Sequence, residues 1–137
     1  MIRPPLAPLL LAACAALACG SSQPDIEAKQ SAGRVAHAIE VVRDAPNARK
    51  ATALAELAKV ACSGPDVCET KNVCQSAYRL HVEATTLTQA AKLKLSAGDA
   101  AEAARLLGAS ERKLSAASPQ VDACLTRESA LRRHYKL

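Results

Sequence analysis

Residues 62–74 read CSGPDVCETKNVC, with a turn signal in the first half and cysteines at every sixth position. The four residues Ser63-Gly64-Pro65-Asp66 are types that end one helix and begin another. A tight turn at this point would fold the preceding helix back against the following one. The stretch therefore predicts a helical hairpin with cysteines on both sides of its tip.

Outward from this turn, prolines and a Gly-Asp pair mark the other helix ends, since proline cannot continue a helix and glycine commonly follows one. We predict five helical segments, at residues 25–44, 47–62, 66–97, 99–117 and 119–135. Asp66 and Asp99 each precede a glutamate by three residues, the capping-box spacing. Ser118 before Pro119 is expected to cap the last segment.

Apolar or small residues recur at steps of three and four in each segment, which places them on one helix face. In the fourth segment this stripe includes Leu107, Ser110 and Leu114, and in the fifth Glu128 interrupts it. We expect the Glu128 carboxylate to reach the edge of the stripe or to pair with a nearby arginine. No stretch alternates in the manner of a strand. The predicted fold is all-α, a small antiparallel bundle of four to five helices over residues 25–137.

The core available to such a bundle is weak. The chain has no Trp, no Phe and two Tyr, so Ala, Leu, Val and a few Ile must fill the interior. Each buried methylene-sized group contributes only about 0.8 kcal/mol. We therefore expect disulfides to supply part of the stability.

Residues 1–18 have the pattern of a secretory signal peptide, with Arg3 before a short apolar stretch that ends in small residues. The sequence ALACGSS at residues 16–22 resembles the lipobox of bacterial lipoproteins. That resemblance implies a diacylglyceryl thioether on Cys19 and cleavage before it, which leaves residues 19–24 as a short tether. Cys14, after Leu11-Ala12-Ala13, is the alternative, but it would leave an apolar stretch at the mature terminus. An ordinary cleaved signal with incidental cysteines is the third possibility.

Lipidation implies an address in the bacterial cell envelope, since two or three acyl chains, such as palmitate, anchor a protein stably to a membrane. In lipoproteins of this class an aspartate after the modified cysteine favours the inner membrane. Here Gly20 follows Cys19, so the resemblance implies the outer membrane, facing the periplasm. The expected partners are the membrane, through the covalent lipid, and another envelope protein. Export makes nucleic acid an improbable partner for this basic chain, whose formal net charge is +5.

Basic residues crowd the end of the chain at Arg127, Arg132, Arg133 and Lys136, together with His134. Cations near the carboxyl end of a helix interact favourably with its dipole. The same residues are candidates for contact with lipid head groups or with an acidic partner.

With Cys19 lipidated and Cys14 removed, four cysteines remain, and an even number in an oxidising compartment favours two disulfides. Cys68 and Cys74 lie six residues apart on one predicted helix, about 9 Å of rise, which is too far for a bridge. Two pairings remain open. We prefer Cys62–Cys68 with Cys74–Cys124 over Cys62–Cys74 with Cys68–Cys124.

Catalytic and cofactor-binding motifs are missing from the sequence, including H-E-x-x-H, G-x-S-x-G and glycine-rich phosphate loops. We expect a protein that is not an enzyme and has no cofactor or bound metal. It would serve as a structural or protein-interaction module, similar in outline to helical lipoproteins that pilot secretion-channel subunits. The alternative is a metal- or redox-sensing lipoprotein that uses Cys62, Cys68, Cys74 and His81.

Overall fold

The computed structural model describes the backbone of residues 22–137 and the side chains from residue 26 onward. This range forms four helices: α1 (Ser22–Asp44), α2 (Asn47–Lys59), α3 (Pro65–Ser96) and α4 (Ala100–Tyr135). No strand occurs within it. The predicted all-α, disulfide-stapled bundle is confirmed. The predictions for residues 1–18, Cys14 and Cys19 lie outside the described residues.

The predicted break at Ser118-Pro119 is wrong, because α4 passes through Pro119 without interruption. The apolar stripe explains why. It steps by four from Ala117 to Val121 and by three from Val121 to Cys124, the same alternation as on either side. A helix that stops at Pro119 would lose that alignment along α3. Packing along α3 and a disulfide at Cys124 offset the roughly 3 kcal/mol that an internal proline costs.

Helices α3 and α4 form an antiparallel hairpin along their whole length. Contacts between them run from one end to the other: Tyr135 with Asp66, Arg127 with Glu69, Cys124 with Cys74, Lys113 with Glu83, and Ser110 with Ala84. At the turn, Gly98 has φ +80°, and the amides of Gly98 and Asp99 donate to Leu95 and Lys94 carbonyls. This is a Schellman motif. Asp99 caps α4 as predicted, accepting from the Glu102 amide at 3.2 Å.

Helices α1 and α2 cover one end of this hairpin, which we call the base. The Ser63 amide donates to Ser31 Oγ at 2.8 Å, so the early part of α1 lies beside the turn that begins α3. Further along α1, Arg43 contacts Glu128 of α4. The main core fills the base and consists of small and branched side chains: Ala32, Val35, Ile39, Val42, Leu57, Val67, Cys74, Ala77, Tyr78, Cys124 and Leu131.

Beyond the base, residues 84–115 continue as a bare two-helix hairpin that we call the arm. The core cluster reaches no further than Tyr78 on α3 and Val121 on α4. The arm's own seam is built from small buried residues, Ala84, Ala91, Ala103 and Ser110, with Thr88 and Ser110 hydroxyls hydrogen-bonded at 2.9 Å. At 1.5 Å per residue the arm projects by about 20 Å. The sequence did not predict it.

The turn at residues 60–64 is predicted correctly, but its cap is not. Helix α3 begins at Pro65, so the N-cap position falls on Gly64, whose φ of +95° suits only glycine. Asp66 therefore lies inside the helix, and its carboxylate accepts from the Tyr135 hydroxyl at 3.2 Å. On the other side of the turn, the Lys71 ammonium donates to the carbonyls of Ala58 and Val60, which have no partner within α2.

Both disulfides stand in the base. Cys62 pairs with Cys68, with Cα atoms 5.2 Å apart, and Cys74 pairs with Cys124 at 4.7 Å. This is the preferred one of the two pairings left open by the sequence. The first closes the turn before α3, whereas the second joins α3 to α4 in the core, where both cysteines are fully buried.

Candidate interaction surface

The two most exposed large apolar side chains of the region described, Leu93 and Leu95, lie near the tip of the arm and are 73% and 62% exposed. Leu107 and Leu114 on α4 are 49% and 45% exposed, comparable with Ile26 and Val41 of α1. These leucines on one projecting element make the arm a candidate contact surface. The sequence assigned Leu107 and Leu114 to the core stripe and did not single out Leu93 or Leu95.

Leu107 and Leu114 are exposed because α1 ends too early to cover them. Counting by sevens along α4 from Leu107 gives Leu114, Val121 and Glu128, all on one side of the helix. At Glu128 this side is covered by α1, through the contact with Arg43. At Leu107 and Leu114 the same side is open. The mismatch between a 23-residue α1 and a 36-residue α4 is the sequence signal that could have revealed this.

The basic residues predicted to meet a membrane or a partner fall into two groups. Arg127 pairs with Glu69 at 2.8 Å. Arg132 pairs with Glu128 at 2.9 Å and with Glu40 at 3.4 Å. Arg133 and Lys136 are exposed and have no ion pair among the described residues. They lie at the base, the end at which α3 begins and α4 finishes.

Glu128, the misfit of the apolar stripe, is the centre of an ionic network between α1 and α4. Its side chain is only 5% exposed and accepts from Arg43 at 3.0 Å and from Arg132 at 2.9 Å. The predicted pairing with a nearby arginine is therefore confirmed. Both carboxylate oxygens accept from arginines, and the network fixes α1 along α4.

A second buried polar group, Lys50 of α2, was not foreseen. Its ammonium donates to the carbonyls of Val42 and Arg43 at 2.9 Å each, which satisfies the open end of α1. It also lies 5.8 Å from the centre of the Tyr78 ring. Burial lowers the pKa of Lys50 and raises that of Tyr78. The Tyr78 hydroxyl is buried without a hydrogen-bond partner among the described residues.

His81 and the four cysteines do not form a common site. All four sulfurs are used in disulfides, so in this oxidised state none is a thiolate that could bind a metal. No group of three or more His, Cys, Asp or Glu side chains in the described region could hold a metal ion. His81 is half-buried; burial, together with the nearby charge of Lys50, lowers its pKa.

An open groove of about 620 Å³ follows the outer junction of α1 and α2 and is lined by His37, Val41, Arg49 and Ala53 among others. Neither His81 nor Glu128 lines it. Its acidic rim is already matched internally: Glu40 and Asp44 contact Arg43, and Glu56 pairs with Lys59. This groove offers apolar contact but no converging set of reactive groups.

Comparison with known proteins adds no assignment: no family model, no curated protein and no solved structure matches the chain. The class defined by the fold is a disulfide-stapled helical bundle with a projecting arm. Over the described residues, none of the helices combines the length and apolar character that crossing a membrane requires.

Proposed function

We propose that this protein is a lipid-anchored envelope lipoprotein that holds an interaction arm away from the membrane. In this proposal Cys19 carries the lipid and the arm binds another envelope protein. The protein is a structural or adaptor module and performs no reaction. The outer membrane, with the bundle in the periplasm, is the proposed location.

The proposal rests on one observation: the start of α1 and the tip of the arm lie at opposite ends of the α3–α4 hairpin. Ser31 contacts Ser63 at the base, and α1 begins at Ser22, three residues after Cys19. The arm's turn at Gly98 lies at the other end of α3, about 48 Å from Pro65 along a 32-residue helix. An anchor on Cys19 would therefore hold the base near the bilayer and point the exposed leucines away from it.

The charge of the base supports the same orientation. Arg133 and Lys136 are exposed near the end of α4, and Leu137 approaches Gly33 of α1. Each exposed basic residue close to an anionic bilayer contributes about 1 kcal/mol. Arg127 and Arg132, which are occupied by Glu69, Glu128 and Glu40, contribute less to this contact.

The anchor is tested by the intact mass of the chain expressed with its signal in a bacterial envelope. We expect a di- or triacylated species that begins at Cys19. Cys19→Ser should abolish acylation, whereas the matched Cys14→Ser should leave it unchanged. Acylation that persists in Cys19→Ser, or that is lost in Cys14→Ser, would overturn the assignment of Cys19.

The location and the role of the arm need separate measurements. Density separation of the two membranes should place the wild-type chain with the outer membrane. Replacing Leu107 and Leu114 by glutamate should leave the chain in that fraction but remove photo-crosslinks from a probe at Ala104 to a specific protein. Crosslinks that survive the replacement would contradict the role proposed for the arm.

A further inference from the structure

The two disulfides of this protein differ in how a thiol in solution can reach them. Cys74 and Cys124 are both completely buried in the core. Cys62 and Cys68 are half-buried at the turn before α3. A thiolate must approach one sulfur of a disulfide to displace the other. A reductant therefore meets the Cys62–Cys68 bridge in the folded protein, whereas it reaches the Cys74–Cys124 bridge only when the core opens.

We propose that Cys62–Cys68 is a redox-active site that exchanges with dithiols in the folded protein, and that its reduction frees the end of α2. Cys74–Cys124 is purely structural and stays closed in both states. The proposal goes beyond the interaction role described above, since it depends neither on the lipid anchor nor on the arm. It also needs no metal and no participation of His81.

The charges around the turn favour exchange at this bridge. Cys68 lies in the first turn of α3, where the positive end of the helix dipole stabilises a thiolate. The Lys71 ammonium, three residues further on, donates to the Val60 carbonyl at 2.6 Å. This bond places a positive charge close to the chain two residues before Cys62. Half-exposed cysteines beside a cation are the type that reacts with thiols.

The two acids next to Cys68 oppose this effect only weakly, because each is already engaged. The Asp66 carboxylate accepts from the Tyr135 hydroxyl at 3.2 Å. Glu69 forms an ion pair with Arg127 at 2.8 Å. The positive charge of Lys71 is therefore the one that a thiolate at the turn would meet.

The exchange takes place in two steps. In the first, one thiolate of the dithiol bonds to Cys62 Sγ, and the disulfide breaks with its electron pair on Cys68 Sγ, the better stabilised thiolate. In the second, the other thiolate of the dithiol displaces Cys62 Sγ and closes the disulfide of the reductant. The dithiol is oxidised by two electrons, and its two protons end on the two cysteines of the protein.

The fold should survive this reduction. The bridge joins residues only 6 apart in sequence, against 50 for the other bridge, and a short loop constrains the unfolded chain less. Without the bridge, the turn is still held by the Ser63 amide, which donates to Ser31 Oγ at 2.8 Å. Lys71 also continues to bind the carbonyls of Ala58 and Val60.

Helix α2 is the element most affected by reduction. It has 13 residues, of which only Lys50 and Leu57 are buried, and so short a helix is marginal without tertiary contacts. Lys50 holds its start against α1, whereas the bridge ties the chain just beyond its end to α3. Reduction therefore loosens residues 57–62. This segment lines a groove against Ala38 and Val41 of α1, so the redox state also changes that surface.

The test is graded reduction of the full chain, purified without reductant, in buffer or, if it is acylated, in nonionic detergent. Dithiothreitol is the reductant, a maleimide traps the free thiols, and peptide mass spectrometry identifies the trapped cysteines. We expect Cys62 and Cys68 to be trapped at least about tenfold faster than Cys74 and Cys124, which must wait for the core to open. Equal rates for the two pairs, or no trapping before the protein unfolds, would overturn the proposal.

A monothiol tests the direction of the exchange. After a short pulse of glutathione, quenched with excess maleimide, we expect glutathione on Cys62 and maleimide on Cys68. The reverse placement would show that Cys62 is the leaving thiolate and that the charges around Cys68 do not direct the reaction.

Hydrogen exchange measures the effect on α2. In the selectively reduced wild type, the amides of residues 57–62 should exchange at least about fivefold faster than in the oxidised protein, because local opening is easier there. Residues 84–115 are the internal control and should not change. Cys62→Ser with Cys68→Ser should reproduce the effect without reductant and keep the helical signal in circular dichroism. Unchanged exchange at residues 57–62 in the reduced wild type, or equal acceleration in both regions, would contradict control of α2 by this bridge.

Discussion

The Arg43 guanidinium of α1 donates to the Glu128 carboxylate of α4 at 3.0 Å, across 85 residues of sequence. Glu128 is almost fully buried, while the side chains of Arg43 and Arg132 remain 36% exposed. The carboxylate thus depends on its two arginines more than they depend on it. Its main effect is to hold α1 in register along α4.

Arg43→Met should lower the free energy of unfolding by about 1–2 kcal/mol, because it removes one of two partners of a buried carboxylate. Replacing Arg43 and Arg132 together should cost more than the two single changes combined, about 3–5 kcal/mol, since Glu128 is then buried and unpaired. Urea denaturation gives these values. Glu40→Gln, which alters an exposed partner of the same arginines, should cost less than 1 kcal/mol. Additive losses in the double variant would contradict this account of the network.

Pro119→Ala should stabilise the protein by about 2 kcal/mol. Alanine restores the amide that an internal proline lacks, and its helix propensity is about 3 kcal/mol more favourable than that of proline. Part of this gain is offset because removing proline increases the conformational entropy of the unfolded chain. The change in thermal midpoint and the helical signal measure it. Ser118→Ala, the neighbouring exposed position, is the control and should change stability by less than 0.5 kcal/mol or so. A destabilising Pro119→Ala would mean that α4 is not continuous at this point.

The two disulfides should contribute unequally. Replacing Cys74 and Cys124 by alanine opens a loop of 50 residues, and replacing Cys62 and Cys68 opens one of 6. Loop entropy predicts losses of about 4 and 2 kcal/mol. Denaturant titration of the two double variants, under non-reducing conditions, compares them directly. The expectation is wrong if the Cys62 and Cys68 variant is the less stable of the two.

Stability should fall as the pH drops below 6.5, in part through His81. Burial, then the charge of Lys50, lowers the folded-state pKa of His81 below its usual 6.5. The unfolded chain therefore takes up this proton first, so that protonation favours unfolding from pH 6.5 down to the folded pKa. His81→Gln should reduce the slope of unfolding free energy against pH in that window. His37→Gln removes an exposed histidine as the control, and equal effects of both changes would exclude His81 as the source.

The helices, the all-α class and the disulfide pairing could be predicted because turn residues, stripe spacing and cysteine separations are local signals. The continuity of α4 could also have been predicted, since the step from Ala117 to Val121 keeps the stripe in phase across Pro119. The low helix propensity of proline, taken alone, predicts a break at Pro119. The neighbours of Lys50 could not be predicted from the sequence, because they are backbone carbonyls at the end of α1 and an aromatic ring on α3.

The sequence alone could not show that Leu107 and Leu114 are exposed. A stripe in the sequence shows which side of a helix is apolar, but not whether a neighbour is long enough to cover it. They occupy the same seven-residue series as Val121 and Glu128, and only the end of α1 at Asp44 distinguishes them. The surface proposed for function is thus a consequence of unequal helix lengths.

The seam of small residues in the arm allows the length of the arm to vary. In residues 84–115 the two helices pack only against each other within the described chain, so seven residues added to or removed from both would preserve the phase of the seam. The disulfides and the core at Tyr78 would be unaffected. The distance between the base and the tip of the arm can therefore change in steps of about 10 Å, one helical heptad at a time.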